Sequence, residues 1–310
     1  MLGQGEGSPV MQRRHWGIPR RILRPLVKAS FWPGLPGIVG RYCGHTLGWP
    51  LECGYRLIID DPTEWIQRTI IDSCTYEPNV GAIITALLRP GDTFFDVGAN
   101  IGYHTLGAAA TGAHVYAFEP VPRLRHRLAG NLRLNGLERR VIVSELALSN
   151  RSGPAAFYLA KRLDDGSHSL IPGVPSQSVE QITVRTVRLD DHLQASGVPQ
   201  PTVMKIDVEG AEALVLDGAG ALLDSATPPA VIIETADRLA DHLHETARSV
   251  MARLFQRDFQ IFRIPETGGR LQTVTPDKVS GDLANYVAVP AGSPLSDRLW
   301  ARLPALLHPA

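Results

Sequence analysis

The sequence predicts a doubly wound α/β fold with a mostly parallel sheet of seven strands, the last of them antiparallel, and an N-terminal extension. Three observations predict it. From Gly91 onward, short β-branched runs alternate with helix-length stretches, the pattern of a parallel sheet covered on both faces. A strand at 93–97 runs directly into Gly98-Ala99-Asn100-Ile101-Gly102, a tight turn that opens a helix at the carboxyl end of a strand. The length, 310 residues with 44% hydrophobic and 20% charged, suits one large globular domain with additions, or two small ones.

The elements follow in order. Strand one is 93–97, and the Ala- and Leu-rich stretch 101–110 is the first helix. Strand two is 114–118, followed by a helix over 122–134 whose Arg-rich face is solvated, and strand three is 141–144. The rhythm breaks after Asn150. Runs at 155–159 and 182–189 flank a polar, Gly/Ser/Pro-rich loop at 164–181, which reads as a hairpin-like extension over 151–190. Strand four is 202–207 and a helix starts near Gly210. Strand five is 231–234 and one long helix spans 238–257. The last two strands are 259–264 and 286–289, with Gly268-Gly269 in their connection. The expected organisation is thus an arm at 1–54, a helical lead-in at 55–90, a core domain at 91–290 and a tail at 291–310.

Composition excludes several functions. Lys plus Arg and Asp plus Glu both number 31, so no overall basic field exists to hold DNA. Cys43, Cys53 and Cys74 lack CxxC spacing, which argues against a zinc site and for a reducing compartment. No apolar run reaches the length of a membrane span, and no secretory signal is evident. The expected location is the cytoplasm. The arm is the exception to the even charge. From Gly7 to Leu51 it carries no acid but seven Lys/Arg, three Trp and six Pro, a candidate for peripheral membrane contact or self-association.

The chemistry gathers at strand ends. Gly98 and Gly102 let the backbone bend and a ligand approach. Asn100 replaces the middle glycine of a dinucleotide fingerprint, and Asp96 at the strand tip would repel a pyrophosphate. S-adenosylmethionine, which carries an ammonium, a sulfonium and no phosphate, fits that carboxylate. Glu119 ends strand two about 20 residues after the turn, placed to accept both ribose hydroxyls. In Lys205-Ile206-Asp207-Val208-Glu209-Gly210-Ala211-Glu212, three acids and a lysine meet where strand four leaves the sheet. Glu212 reads equally well as an acid at a helix start.

Together, Asp96-Val97-Gly98-Ala99-Asn100-Ile101-Gly102, Phe118-Glu119-Pro120, Ala147-Leu148-Ser149 and the run 205–212 resemble the FkbM family of methyltransferases. Trp65-Ile66-Gln67-Arg68 and Tyr76-Glu77-Pro78 resemble that family's lead-in, and the likeness covers about 55–290. The resemblance implies a class I (Rossmann-like) methyltransferase fold and O-methylation of small hydroxylated acceptors such as macrolides or sugars, as in natural-product biosynthesis. It implies that Asp96, Gly98, Asn100 and Gly102 cradle the methionine part. Asp207 belongs to the same site, and His104, just inside the first helix, is near the cofactor or merely packs and hydrogen-bonds there. Glu119 and Pro120 would hold the ribose side, Ala147 and Leu148 line the adenine, and Glu77 close over the amino-acid end.

For the proton acceptor that a hydroxyl nucleophile needs, Asp207 ranks first, His168 in the extension loop second and Glu209 third. A carboxylate among carboxylates has a raised pKa, which suits a base. Asp207 and Glu234 are conceivable Mg²⁺ ligands, but no metal is expected. The alternatives are an RNA or other macromolecule methyltransferase working through the arm, a non-catalytic binding subunit and a nicotinamide-dependent oxidoreductase.

Overall fold

The structure, a computed structural model, describes residues 49–51, 54–61, 64–160, 166–175 and 180–307. Residues 1–48 of the arm, Cys43 and Cys53, and residues 161–165 and 176–179 of the extension loop therefore lie outside the described residues.

A small ladder, β1 (Trp49–Pro50) with β2 (Arg56–Leu57), leads into helices α1 (Trp65–Ser73) and α2 (Pro78–Leu87). Glu64 starts α1 by accepting the backbone N–H groups of Ile66 and Gln67, an acidic N-cap that satisfies two otherwise unpaired donors. The core then runs β3 (Thr93–Val97), α3 (Tyr103–Ala110), β4 (His114–Phe118), α4 (Pro122–Asn135) and β5 (Val141–Ser144). The extension follows as β6 (Ala147–Leu148), β7 (Gly153–Leu159), β8 (Glu180–Val187) and α5 (Leu189–Ser196). The second half is β9 (Val203–Ile206), α6 (Glu212–Gly218), α7 (Gly220–Leu223), β10 (Ala230–Thr235), α8 (Asp237–Ala240), α9 (Ala247–Phe255), β11 (Phe259–Ile264), β12 (Gln272–Val274), β13 (Ala284–Pro290) and α10 (Pro294–Leu307).

The central sheet has the order β12-β11-β13-β10-β9-β3-β4-β5. Strands β10, β9, β3, β4 and β5 are parallel, and β13 enters antiparallel to β10. After β3 the chain moves outward through β4 and β5, then returns to β9 on the other side. The reversal at β3/β9 is a topological switch point, where such sheets open a crevice at the carboxyl ends of their strands. Burial explains why β3 can be central. Phe94 packs into the cluster that also holds Ile83, Leu87 and Leu128, while Phe95 and Val97 pack into the opposite one with Met204, Val215 and Leu254. The class of fold expected from the sequence is the one observed.

Four local expectations need correction. The seven expected strands are joined by an eighth, β12, a three-residue edge pairing with β11, too short to announce itself beside Gly268-Gly269. The long helix at 238–257 is two helices. His244 takes a left-handed φ of 58°, and Thr246 restarts the chain with a capping box to Ser249, a local start signal stronger than the continuous apolar periodicity. Leu189, expected to end a strand, instead opens α5, with Asp190 and Asp191 in its first turn and Gly197 closing it in the left-handed region. The tail contains α10, where Leu299 is fully buried and Arg298 lies 2.6 Å from Asp92.

The extension is a three-stranded sheet, β6-β8-β7, in which β7 and β8 pair antiparallel as expected. Its loop folds back, for Tyr158 and Ser169 form a bridge, and Ser169 Oγ donates to the Glu209 carbonyl at 2.6 Å. The extension therefore leans over the turn that follows β9. No helix among the described residues is long and apolar enough to cross a membrane.

Candidate functional site: a crevice at the switch point

The turn after β3 is held by tertiary contact. Gly98 has φ of +85°, and a side-chain carbon there would sit 1.9 Å from the Asp207 carbonyl oxygen. Gly102, at +89°, would meet Leu128 of α4 at 2.1 Å. The expected reason for these glycines was room for a ligand. The structure gives another, close approach of β9 and α4, with a ligand wall as the consequence. Asn100 also takes a left-handed φ, 50°, a conformation short polar side chains tolerate.

Asp96 is buried at the end of β3. Its Oδ2 accepts from Thr105 Oγ1 at 2.5 Å, and Oδ1, also buried, has no hydrogen-bond partner among the described residues. Asp96 lines the crevice together with Gly98, Asn100, Glu119, Pro120, Ala147 and Leu148. A buried, unsatisfied carboxylate oxygen is costly unless a ligand donor reaches it, and an ammonium is such a donor.

Glu119 sits between two backbone donors, Asn100 N–H to Oε2 at 2.9 Å and Val121 N–H to Oε1 at 2.8 Å. Burial pushes its carboxyl up to about 7, against the pull of those two bonds. Each oxygen still has a second acceptor position, enough for two hydroxyls. Phe118, Leu146 and Phe157 complete an apolar wall around Ala147 and Leu148, suited to a flat heterocycle.

At the other end lie the acids. Asp207 Oδ2 is 2.7 Å from the ammonium of Lys205, which burial opposes but Asp207, Glu77 and Asp96 hold firmly in its charged form. Lys205, expected at the strand end without a role, and Glu234, expected only as a conceivable Mg²⁺ ligand, both line the crevice. The signal for Lys205 was its position two residues before Asp207, which puts both on one face of the strand. Burial and neighbouring charge raise the carboxyls of Glu209, up to about 9, and Glu234, up to about 8. Asp207, Glu209 and Glu234 each offer an oxygen within 4.8 Å of the others, a spacing that would admit a divalent cation, although Lys205 already supplies a positive charge there. Glu212 is structural. Its Oε1 accepts from the Val208 and Gly210 N–H groups and ties the turn to α6.

His104 lines the crevice as expected, whereas His168 and Glu77 fall otherwise. His168 is buried and lines the crevice, but Nδ1 faces the Ala160 N–H at 2.8 Å and Nε2 faces an Arg123 guanidinium nitrogen at 2.7 Å. Two donors against one imidazole leave it no idle lone pair with which to take a substrate proton. Glu77 does not line the crevice. It lies behind His104, whose Nε2 is 2.7 Å from Glu77 Oε2, while Asn285 donates to Oε1 at 3.1 Å. Burial opposes the ionisation of Glu77, but the bond and charge of His104 hold its carboxyl down at about 2. Tyr76, beside it, lines the crevice. Burial and then the carboxylates of Glu77, Asp207, Glu234 and Glu209 push its phenol well above the usual range.

The methyltransferase FkbM domain matches residues 96–261, more than half of the chain. The chain belongs to the FkbM methyltransferase family. It is 35% identical over 150 residues to the hexuronic acid methyltransferase AglP of Haloferax volcanii, a match covering 48% of this chain and 59% of that protein. It is 33% identical over 168 residues to the 31-O-demethyl-FK506 methyltransferase FkbM of Streptomyces tacrolimicus, covering 42% of this chain and 60% of that one. The chain therefore spans about three-fifths of the length of these relatives. Among solved structures, the precorrin-6y C5,15-methyltransferase of Geobacter metallireducens aligns over 76% of this chain and 100% of its own, at 12% identity and a TM-score of 0.42. In an FkbM-family crevice S-adenosylmethionine is the cofactor, and the residues present fit it. The orphaned Asp96 oxygen suits its ammonium and the two open acceptor positions of Glu119 suit its ribose.

Proposed function

We propose that this FkbM-family protein methylates a hydroxyl oxygen of a small, polyhydroxylated acceptor. The observation that carries this reading is the Lys205-anchored cluster of Asp207, Glu209 and Glu234 beside the cofactor turn. The two relatives, a hexuronic acid methyltransferase and a 31-O-demethyl-FK506 methyltransferase, support an acceptor of this class.

S-adenosylmethionine supplies an already activated methyl group. The chain's own residues align the acceptor, an effect worth up to about 7–11 kcal/mol in favourable cases, and remove its proton. Asp207 takes that proton, held in place by the Lys205 ammonium. Glu209 and Glu234, raised to about 9 and about 8, keep their protons at neutral pH and hydrogen-bond the neighbouring hydroxyls as donors and acceptors. His168 shapes the wall. A wall of this charge disfavours a phosphate backbone, which weakens the RNA alternative.

The test is methyl transfer from isotope-labelled S-adenosylmethionine to a panel of sugars and hydroxylated macrolides, read by mass spectrometry. With an acceptor in hand, Asp207→Asn should slow single-turnover methyl transfer by about 10²–10⁴-fold while S-adenosylhomocysteine affinity stays within about threefold. A variant slowed less than tenfold removes Asp207 as the base.

A further inference from the structure

We infer that His104, set by Glu77 and Asn285, is the docking point for the carboxylate of the cofactor's methionine end. The inference rests on the S-adenosylmethionine reading and assigns a residue to the one charge in that molecule which the crevice otherwise repels.

The cofactor carries two cationic centres, which suit Asp96 and the acid cluster, and one carboxylate, which does not. Among the described residues lining the crevice, the available cations are Lys205, His168 and His104. Lys205 is ion-paired to Asp207 at 2.7 Å. His168 has a donor against each ring nitrogen. His104 is different. It is 7% exposed, lines the crevice, and its buried Nδ1 has no hydrogen-bond partner among the described residues. Its Nε2 is engaged by Glu77, so that nitrogen carries a proton, and the ionised Glu77 stands ready to balance an imidazolium. An anion on the far side turns Nδ1 into a second donor, giving a carboxylate–imidazolium–carboxylate chain in which every buried polar atom is satisfied.

A second feature converges on the same place. His104 is the second residue of α3, whose N-cap, Gly102, offers no side-chain cap. The first-turn N–H groups of a helix have no intrahelical acceptor and favour an anion. Asp96, at the end of β3, is tied to the same helix through Thr105, so ammonium and carboxylate sites lie on one turn, as an α-amino acid requires. Glu77 is then a positioning residue. It reaches His104 from the start of α2, and Asn285 of β13 fixes its other oxygen.

Calorimetry on the full chain with two ligands tests this, S-adenosylhomocysteine and its decarboxylated analogue, which keeps the ammonium and lacks the carboxylate. Wild-type protein should prefer the intact ligand by at least tenfold. His104→Gln should shrink that preference below threefold, with affinity for the analogue little changed. Glu77→Gln, which keeps an acceptor for the ring but removes its charge, should shrink it too and serves if the first variant does not fold. A wild-type ratio near one, an unchanged ratio in the variants, or equal weakening of both ligands overturns the assignment. Failure of wild-type protein to bind either ligand overturns the cofactor reading itself.

Discussion

Replacing Glu119 with Gln tests the ribose site, and the structure sets the size of the effect. Each carboxylate oxygen accepts one backbone N–H, from Asn100 and from Val121. Alanine would strand both donors and damage the turn, so it mixes binding with folding. Glutamine keeps one oxygen and places an NH₂ where the other was, so one backbone donor and one ligand hydroxyl lose their acceptor. A hydrogen bond to a charged group contributes about 1.5–3 kcal/mol, so S-adenosylhomocysteine affinity should fall about 10–150-fold. The stranded N–H costs about 1–3 kcal/mol of stability. pH separates the two effects. Because burial holds the Glu119 carboxyl at about 7, and hydroxyl donors bind its ionised form, wild-type affinity should rise from pH 6 to 8 while the variant stays flat. Calorimetry across that range, with thermal melts to confirm folding, gives both numbers. A folded Glu119→Gln protein that binds within twofold of wild type places the ribose elsewhere.

Two further outcomes follow from the acid cluster. Glu209 and Glu234 hold their protons to about 9 and about 8 in the fold, whereas in the unfolded chain they lose them near the ordinary value. The folded state therefore binds more protons in between. Their contribution to the stability of the ligand-free protein is full below about pH 4.5 and should fall as pH rises to about 9, by at most about 1.4 kcal/mol per pH unit for each proton. Glu77, held at about 2, works the other way, its contribution present above about pH 4.5 and lost as pH falls toward 2. Denaturant melts should show Glu234→Gln flattening the alkaline slope, and a slope unchanged in that variant would refute the assignment. The Lys205 ammonium already balances part of the cluster's charge, so chelation with EDTA and re-addition of Mg²⁺ should leave turnover unchanged. Loss and recovery of activity would make Asp207, Glu209 and Glu234 metal ligands instead.

What the sequence determined by itself is what short range controls. Alternating β-branched and helical runs specify βαβ units, and the glycine turn follows a strand in the chain itself. Asp96, Glu119 and Asp207 could be placed at strand ends because a parallel α/β sheet brings all its carboxyl ends to one edge. Capping was also legible, in Thr246 and Ser249 and in the acids of α5, but apolar periodicity masked it. Tertiary structure decided the rest. Gly98 is required by the Asp207 carbonyl, more than a hundred residues away in sequence, and no local pattern reports that approach. Glu77, His104 and Asn285 form one chain although Glu77 and Asn285 are separated by 208 residues. The charges of the site, with Lys205 committed to Asp207 and His168 closed off by two donors, depend on which groups are buried together. The backbone pattern is local and can be read along the chain. Protonation and partner choice depend on burial and on distances of a few ångströms across the fold, so only the packed molecule fixes them.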